Sequence, residues 1–92
     1  MKTINYKVPN GKMLKIKLND DGMKITSVTI LGDFFLHPES TIELIESALI
    51  GCKIDTEIIT KKIQIVLDTS QSILIGAEPR DIANAIEKAM QE

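Results

Sequence analysis

Tryptophan is missing from this chain, cysteine and histidine occur once each (Cys52 and His37), and only Tyr6, Phe34 and Phe35 are aromatic. Each scarcity closes off a class of function. Single-stranded nucleic acid is held by several rings stacked along a basic groove, and so few rings argue against that mode. A zinc site takes about four well-spaced His, Cys or acidic ligands, which Cys52 and His37 do not supply. A small secreted domain usually carries an even set of cysteines for disulfides, so the lone Cys52 points to the cytoplasm. Met1-Lys2-Thr3-Ile4-Asn5 lacks the apolar core of a signal peptide. Apolar runs are only a few residues long, far short of a bilayer span. Pro9-Asn10-Gly11-Lys12 offers one glycine and one lysine, well short of a Walker-type phosphate loop. Neither a nucleic acid nor a membrane is expected as a partner.

What is present is an ordinary globular composition, 43% hydrophobic and 26% charged over 92 residues. A chain of that length makes one domain, residues 1–92, and buries roughly two-thirds of its unfolded surface. The net charge of −2 hides a polarity. Residues 1–25 carry six lysines (Lys2, Lys7, Lys12, Lys15, Lys17, Lys24) against Asp20 and Asp21, whereas the remainder carries five bases against eleven acids. A basic front and an acidic back suit docking between oppositely charged surfaces, and equally suit a solvated sheet face.

Ile4, Tyr6 and Val8 alternate with Asn5 and Lys7, the period of a half-buried strand over 4–8. Pro9-Asn10-Gly11-Lys12 reads as a hairpin turn. A second strand over 13–19 sets Leu14, Ile16 and Leu18 on one face, with Lys15, Lys17 and Asn19 on the other. Asp20-Asp21-Gly22 is another turn, followed by a β-branched strand over 23–31. Met23 and Ile25 there have the opposite parity to Val28 and Ile30, so a bulge near Thr26-Ser27 is needed to restore one core face. Gly32 to Pro38 then ends the sheet. Pro38 suits a first helical position, while Ser40 with Glu43 fits a capping box that starts the helix two residues later. Ile42, Ile45 and Leu49, joined by Leu44 and Ala48, form its apolar stripe, and Gly51 suits the position after the C-cap. Asp55 is the predicted N-cap of a second helix over about 56–67, with Ile58, Ile59, Ile63 and Val66 inward. Ile73-Leu74-Ile75-Gly76 reads as a short buried connector, and Glu78-Pro79 opens a third helix with Ile82, Ala85, Ile86, Ala89 and Met90 inside. The fold class is α+β: a three-stranded antiparallel sheet followed by three helices packed on one face.

Little catalytic vocabulary remains. His37 and Cys52 stand at opposite ends of the first helix, roughly 18 Å apart at 1.5 Å per residue, too far for a nucleophile and its base. Cys52 reads as a small apolar residue behind a helix end or as a redox or sulfur-carrying thiol. His37 reads as a turn or cap residue or as a contact to a partner. Glu39, Glu43 and Glu46 share one helix face and read as a solvated stripe. The residues favour a binding or assembly module over a self-sufficient enzyme.

Tyr6-Lys7-Val8-Pro9-Asn10-Gly11-Lys12, followed by Gly32-Asp33-Phe34-Phe35-Leu36-His37-Pro38-Glu39, resembles the accessory subunit of archaeal two-part lipoate-protein ligases. It is similar as well to the C-terminal domain of single-chain bacterial lipoate ligases. The likeness runs nearly end to end, through a helix closing at Ala48-Leu49-Ile50-Gly51 and a last helix begun by Glu78-Pro79.

The resemblance implies a fold like that of sulfur-acceptor and iron-sulfur scaffold proteins. It also implies a division of labour. A large catalytic subunit, partnered with this chain as a heterodimer, holds ATP, magnesium and lipoate and transfers the lipoyl group to lipoyl-domain acceptors. The small subunit is needed for efficient formation of lipoyl-adenylate and carries no catalytic residue. No cofactor or metal is expected on this chain. Phe34, Phe35, His37, Lys15 and Lys17 are the expected interface residues: adjacent rings on an extended segment point to opposite sides, one inward and one toward a partner. The competing expectation is a persulfide carrier using Cys52 as sulfur acceptor.

Overall fold

Alternating apolar residues set the sheet. The computed structural model describes residues 1–9 and 12–91, and its first three strands are β1 (Lys2–Lys7), β2 (Met13–Asp20) and β3 (Ile25–Gly32), antiparallel in the order β1-β2-β3. Ile4 pairs with Ile16 and Tyr6 with Leu14, while Ile16 and Leu18 face Ile30 and Val28 across the other ladder. The expected turn at Pro9-Asn10-Gly11-Lys12 includes Asn10 and Gly11, which lie outside the described residues. On either side of it the Val8 N–H donates to the Lys12 carbonyl at 2.8 Å.

The predicted bulge is present. Asn19 pairs with Ser27 but Asp20 pairs with Ile25, leaving Thr26 unopposed and turning Ile25, Val28 and Ile30 onto one buried face. Met23, expected to share that face with Ile25, is exposed because the strand begins only at Ile25. Residues 21–24 form a turn instead, in which the Asp21 carboxylate accepts the N–H groups of Lys24 (2.7 Å) and Met23 (2.9 Å). Those two bonds hold the Asp21 carboxyl below its ordinary pKa.

Helix α1 (Thr41–Leu49) starts later than Pro38. Ser40 occupies the N-cap with helical dihedrals and no side-chain cap bond, so the expected capping box does not form. A tight turn precedes the helix, with Thr41 N–H donating to the Pro38 carbonyl at 3.0 Å and Ile42 N–H to Glu39 at 3.1 Å. Gly51 follows the helix at φ +82°, as its place in the sequence predicts. Helix α2 (Thr56–Ser70) is capped by Asp55, whose carboxylate accepts from Glu57 N–H (2.9 Å) and Ile58 N–H (3.2 Å). It runs three residues past the expected end and stops where Gln71 turns left-handed (φ +53°), with the Thr69 and Ser70 hydroxyls donating back to the Ile65 and Val66 carbonyls at 2.8 and 2.6 Å. Helix α3 (Pro79–Met90) opens with Pro79, and the Asp81 carboxylate accepts the Glu78 N–H at 2.8 Å.

α1 lies on β3, α3 lies on β1 and β2, and α2 packs across α1 and α3, so the helices cover one face of the sheet. The core between the layers is built from Leu14, Ile16, Leu18, Ile45, Ile82 and Ile86, all fully buried. Thr41, Ile45 and Leu49 on α1 and Ile59, Ile63 and Leu67 on α2 step by fours and make the inner seams. That seam is narrower than the apolar pattern: Leu44 and Ile58, expected inward, are exposed.

Two further features depart from expectation. Phe35–His37 (β4) and Ile73–Ile75 (β5) form a separate two-stranded sheet, where a loop and a buried connector were expected. Glu39 and Glu43 are exposed, as a solvated stripe requires, but Glu46 is half-buried and its carboxylate accepts the Ile30 N–H at 2.8 Å. α1 lies along β3, so a carboxylate on that side of the helix reaches the strand's outer edge.

Candidate functional site

Gly32 is where the chain leaves the main sheet. A Cβ there would stand 2.6 Å from the Met13 carbonyl oxygen and 3.1 Å from the Phe34 ring, so only glycine lets β3 close on β2 while Phe34 folds back beneath. The Asp33 N–H completes the turn by donating to the same Met13 carbonyl at 3.0 Å. Phe34 packs half-buried against the core, and β4 begins with the next residue.

In the β4–β5 ribbon, Phe35 pairs with Ile75, Leu36 with Leu74 and His37 with Ile73. The pleat sends Leu36 and Leu74 toward the core and leaves the other four side chains outside. Phe35 is 65% exposed, Ile75 61% and Ile73 58%, which makes an apolar face with His37 at one corner. Gly76 ends β5 at φ +96°, and its Cβ position lies 3.4 Å from the Phe34 Cα, a close approach that seats β5 against the start of β4.

A hollow of about 270 Å³ joins this ribbon to the uncovered face of the main sheet; Phe34, Phe35, Leu31 and Ile42 contribute to its walls and Glu39 a carboxylate. Leu31 is exposed on that sheet face and pairs with Lys15. Lys17 lies one row further, between Thr3 and Thr29, and Lys7 pairs with Met13. Lys7, Lys15 and Lys17 make no ion pair among the described residues, whose two bridges are Lys2 with Asp20 and Arg80 with Glu57.

Of the residues singled out in the sequence, Phe35 and His37 share the ribbon face, Phe34 lines the adjoining hollow and Lys15 borders it through Leu31. Lys17 stands apart on the sheet. Ile73 and Ile75 were not foreseen. Their only signal is a three-residue apolar run ending at Gly76, which a buried connector matches equally well.

Cys52 lies elsewhere, 6% exposed behind the end of α1, with its backbone N–H on the Leu49 carbonyl and its own carbonyl accepting from Ile25 N–H. Burial raises the thiol pKa, and the opposing pull of Lys62 is the smaller effect. A sulfur acceptor needs an accessible thiolate, and this site suppresses both access and ionisation. Among the described residues no group of three His, Cys, Asp or Glu side chains is placed to hold a metal, and no helix is long and apolar enough to cross a membrane.

Residues 3–86 match the family model described as the bacterial lipoate protein ligase C-terminus. The chain belongs to that lipoate protein ligase family. Lipoate-protein ligase A subunit 2 of Thermoplasma acidophilum is 33% identical over 84 residues, which cover 89% of this chain and 83% of the relative. A solved chain from a study of the bipartite lipoate protein ligase of Thermoplasma acidophilum and its E2 lipoyl domain superposes with a TM-score of 0.77. That likeness, at 32% identity, covers 94% of each chain. The matched span, residues 3–86, takes in the ribbon and both of the main sheet's ladders and reaches into α3.

Proposed function

We propose that this chain is the non-catalytic accessory subunit of a two-part lipoate-protein ligase, required with a large catalytic subunit for ATP-dependent activation of lipoate to lipoyl-adenylate. The observation that carries the reading is the correspondence over 94% of both chains, at a TM-score of 0.77, with a chain from the structure of a bipartite lipoate protein ligase. The chemistry present agrees: an apolar ribbon suited to burial against protein, and a lone cysteine shielded from solvent.

ATP, magnesium and lipoate belong to the large subunit in this reading. The contribution of this chain is mechanical. Docking of Phe35, Ile73 and Ile75 buries apolar surface, orders loops of the large subunit and excludes water from the adenylation pocket. Lipoyl-domain proteins meet the complex as acceptors in the transfer step. The cytoplasm is the compartment we assign, where a lone reduced cysteine is at home.

The decisive assay is lipoyl-adenylate formation by the large subunit from the same source, with and without this chain. Strong dependence on the chain is expected. Equal rates in its absence, from a competent large subunit, would sink the accessory role.

A further inference from the structure

A second apolar surface lies away from the ribbon, in the trough between α1 and α2. Ala48, Ile58, Ile65 and Val66 line a hollow of about 420 Å³, with Lys61 and Lys62 completing its walls. Ile58 and Ile65 are two helical turns apart and form a stripe distinct from the buried Ile59, Ile63 and Leu67 seam. Leu44, one turn before Ala48 on α1, is 54% exposed, and Ile65 is 58% exposed.

Shape and charge together say what fits there. A small ligand prefers a cleft that buries most of its surface, whereas an open trough along two helices suits a third helix bearing apolar anchors at i, i+3, i+4 and i+7. Charge on α2 is divided. Glu57 pairs with Arg80 at 2.9 Å and Asp68 accepts from Gln64 at 2.9 Å, and Gln64 lines a hollow with Glu78, Pro79 and Arg80 on the α3 side. Lys61 and Lys62 line the α1 side, carry no ion pair among the described residues, and share the trough with no carboxylate. Two copies docked trough to trough would set these lysines against each other, which disfavours a symmetric dimer.

We propose that the α1–α2 trough is a docking site for an acidic amphipathic helix of another polypeptide, its apolar anchors on Ala48, Ile58 and Ile65 and its flanking carboxylates on Lys61 and Lys62. The trough does not depend on the ligase reading, and its test uses this chain alone.

The probe is a fluorescein-labelled helical peptide with leucines on one stripe flanked by glutamates, titrated with the full chain and followed by anisotropy. Saturable binding is expected, weakened at least about tenfold by Ile65→Glu and by Lys61→Glu with Lys62→Glu, weakened by salt, and unchanged by Phe35→Ala. Amide shifts in the labelled chain should move at Ala48, Ile58 and Ile65. Ile65 is exposed, and circular dichroism confirms that its variant folds. No saturable binding overturns the proposal, as does equal binding of a lysine-flanked peptide. A chain that sediments as a dimer broken by Ile65→Glu assigns the trough to a second copy, and likewise overturns it. So does Ile65-dependent binding of octanoate or of phosphatidylglycerol vesicles in place of the peptide.

Discussion

Phe34 and Phe35 are neighbours in sequence and face opposite ways in space, and their substitutions should separate stability from association. Phe34→Ala removes a half-buried ring from the core margin and should lower stability by about 2 kcal/mol, read from a denaturant midpoint. Phe35→Ala should leave stability within about 0.5 kcal/mol. In the proposed complex it should weaken binding to the large subunit by about 2 kcal/mol, some thirtyfold, in calorimetric titration. An unchanged affinity for Phe35→Ala would remove the ribbon from the interface. Cys52 supplies a second residue-scale prediction. Its thiol is buried and its pKa raised, so iodoacetamide should label the native chain far more slowly than the unfolded one at neutral pH. The stability that goes with the raised value is fully present below the unfolded thiol's pKa and is lost as pH rises toward the folded one. Rapid native labelling near neutrality would contradict the burial and reopen the sulfur-acceptor reading.

Between elements, the Glu46 carboxylate joins α1 to β3. Glu46→Ala leaves the Ile30 N–H without its acceptor and should cost about 1–3 kcal/mol, whereas Glu46→Gln keeps an acceptor oxygen and should lose less. Equal losses for the two variants would mean the contact contributes by packing alone. This contact also marks the limit of what the sequence could say. Periodicity located β1 to β3, the bulge at Thr26, the Asp55 cap and the Gly51 stop, because each rests on local spacing or on one residue's backbone preference. Glu46 resembles Glu39 and Glu43 in every local respect, and only the path of α1 along β3 sets it apart. The β4–β5 ribbon was hidden for the same reason: two three-residue strands, far apart in the chain, carry almost no pattern until they pair. Of the ribbon face Phe35 and His37 were therefore legible, while Ile73 and Ile75 were not.

Across the whole molecule Lys7, Lys15 and Lys17 of the lysine-rich front lie on the uncovered sheet face, and the acidic back becomes mostly helix. If that face meets an acidic region of the large subunit, Lys15→Glu with Lys17→Glu should weaken association about tenfold at low salt, flatten its salt dependence and leave thermal unfolding unchanged. Unaltered affinity at all salt concentrations would show the lysines to be solvent-facing only. The two borders of the same sheet differ as well. β3's outer border is closed by the Glu46 carboxylate on Ile30 and by Gly51 and Cys52, which exchange backbone bonds with Ile25. β1 pairs only with β2 among the described residues. Polymers built by strand addition require two adhesive rims on every unit, and the main sheet offers one. Two copies joined through β1 would exhaust each other's valence, so misassembly through this sheet ends at a pair and cannot extend into a fibre.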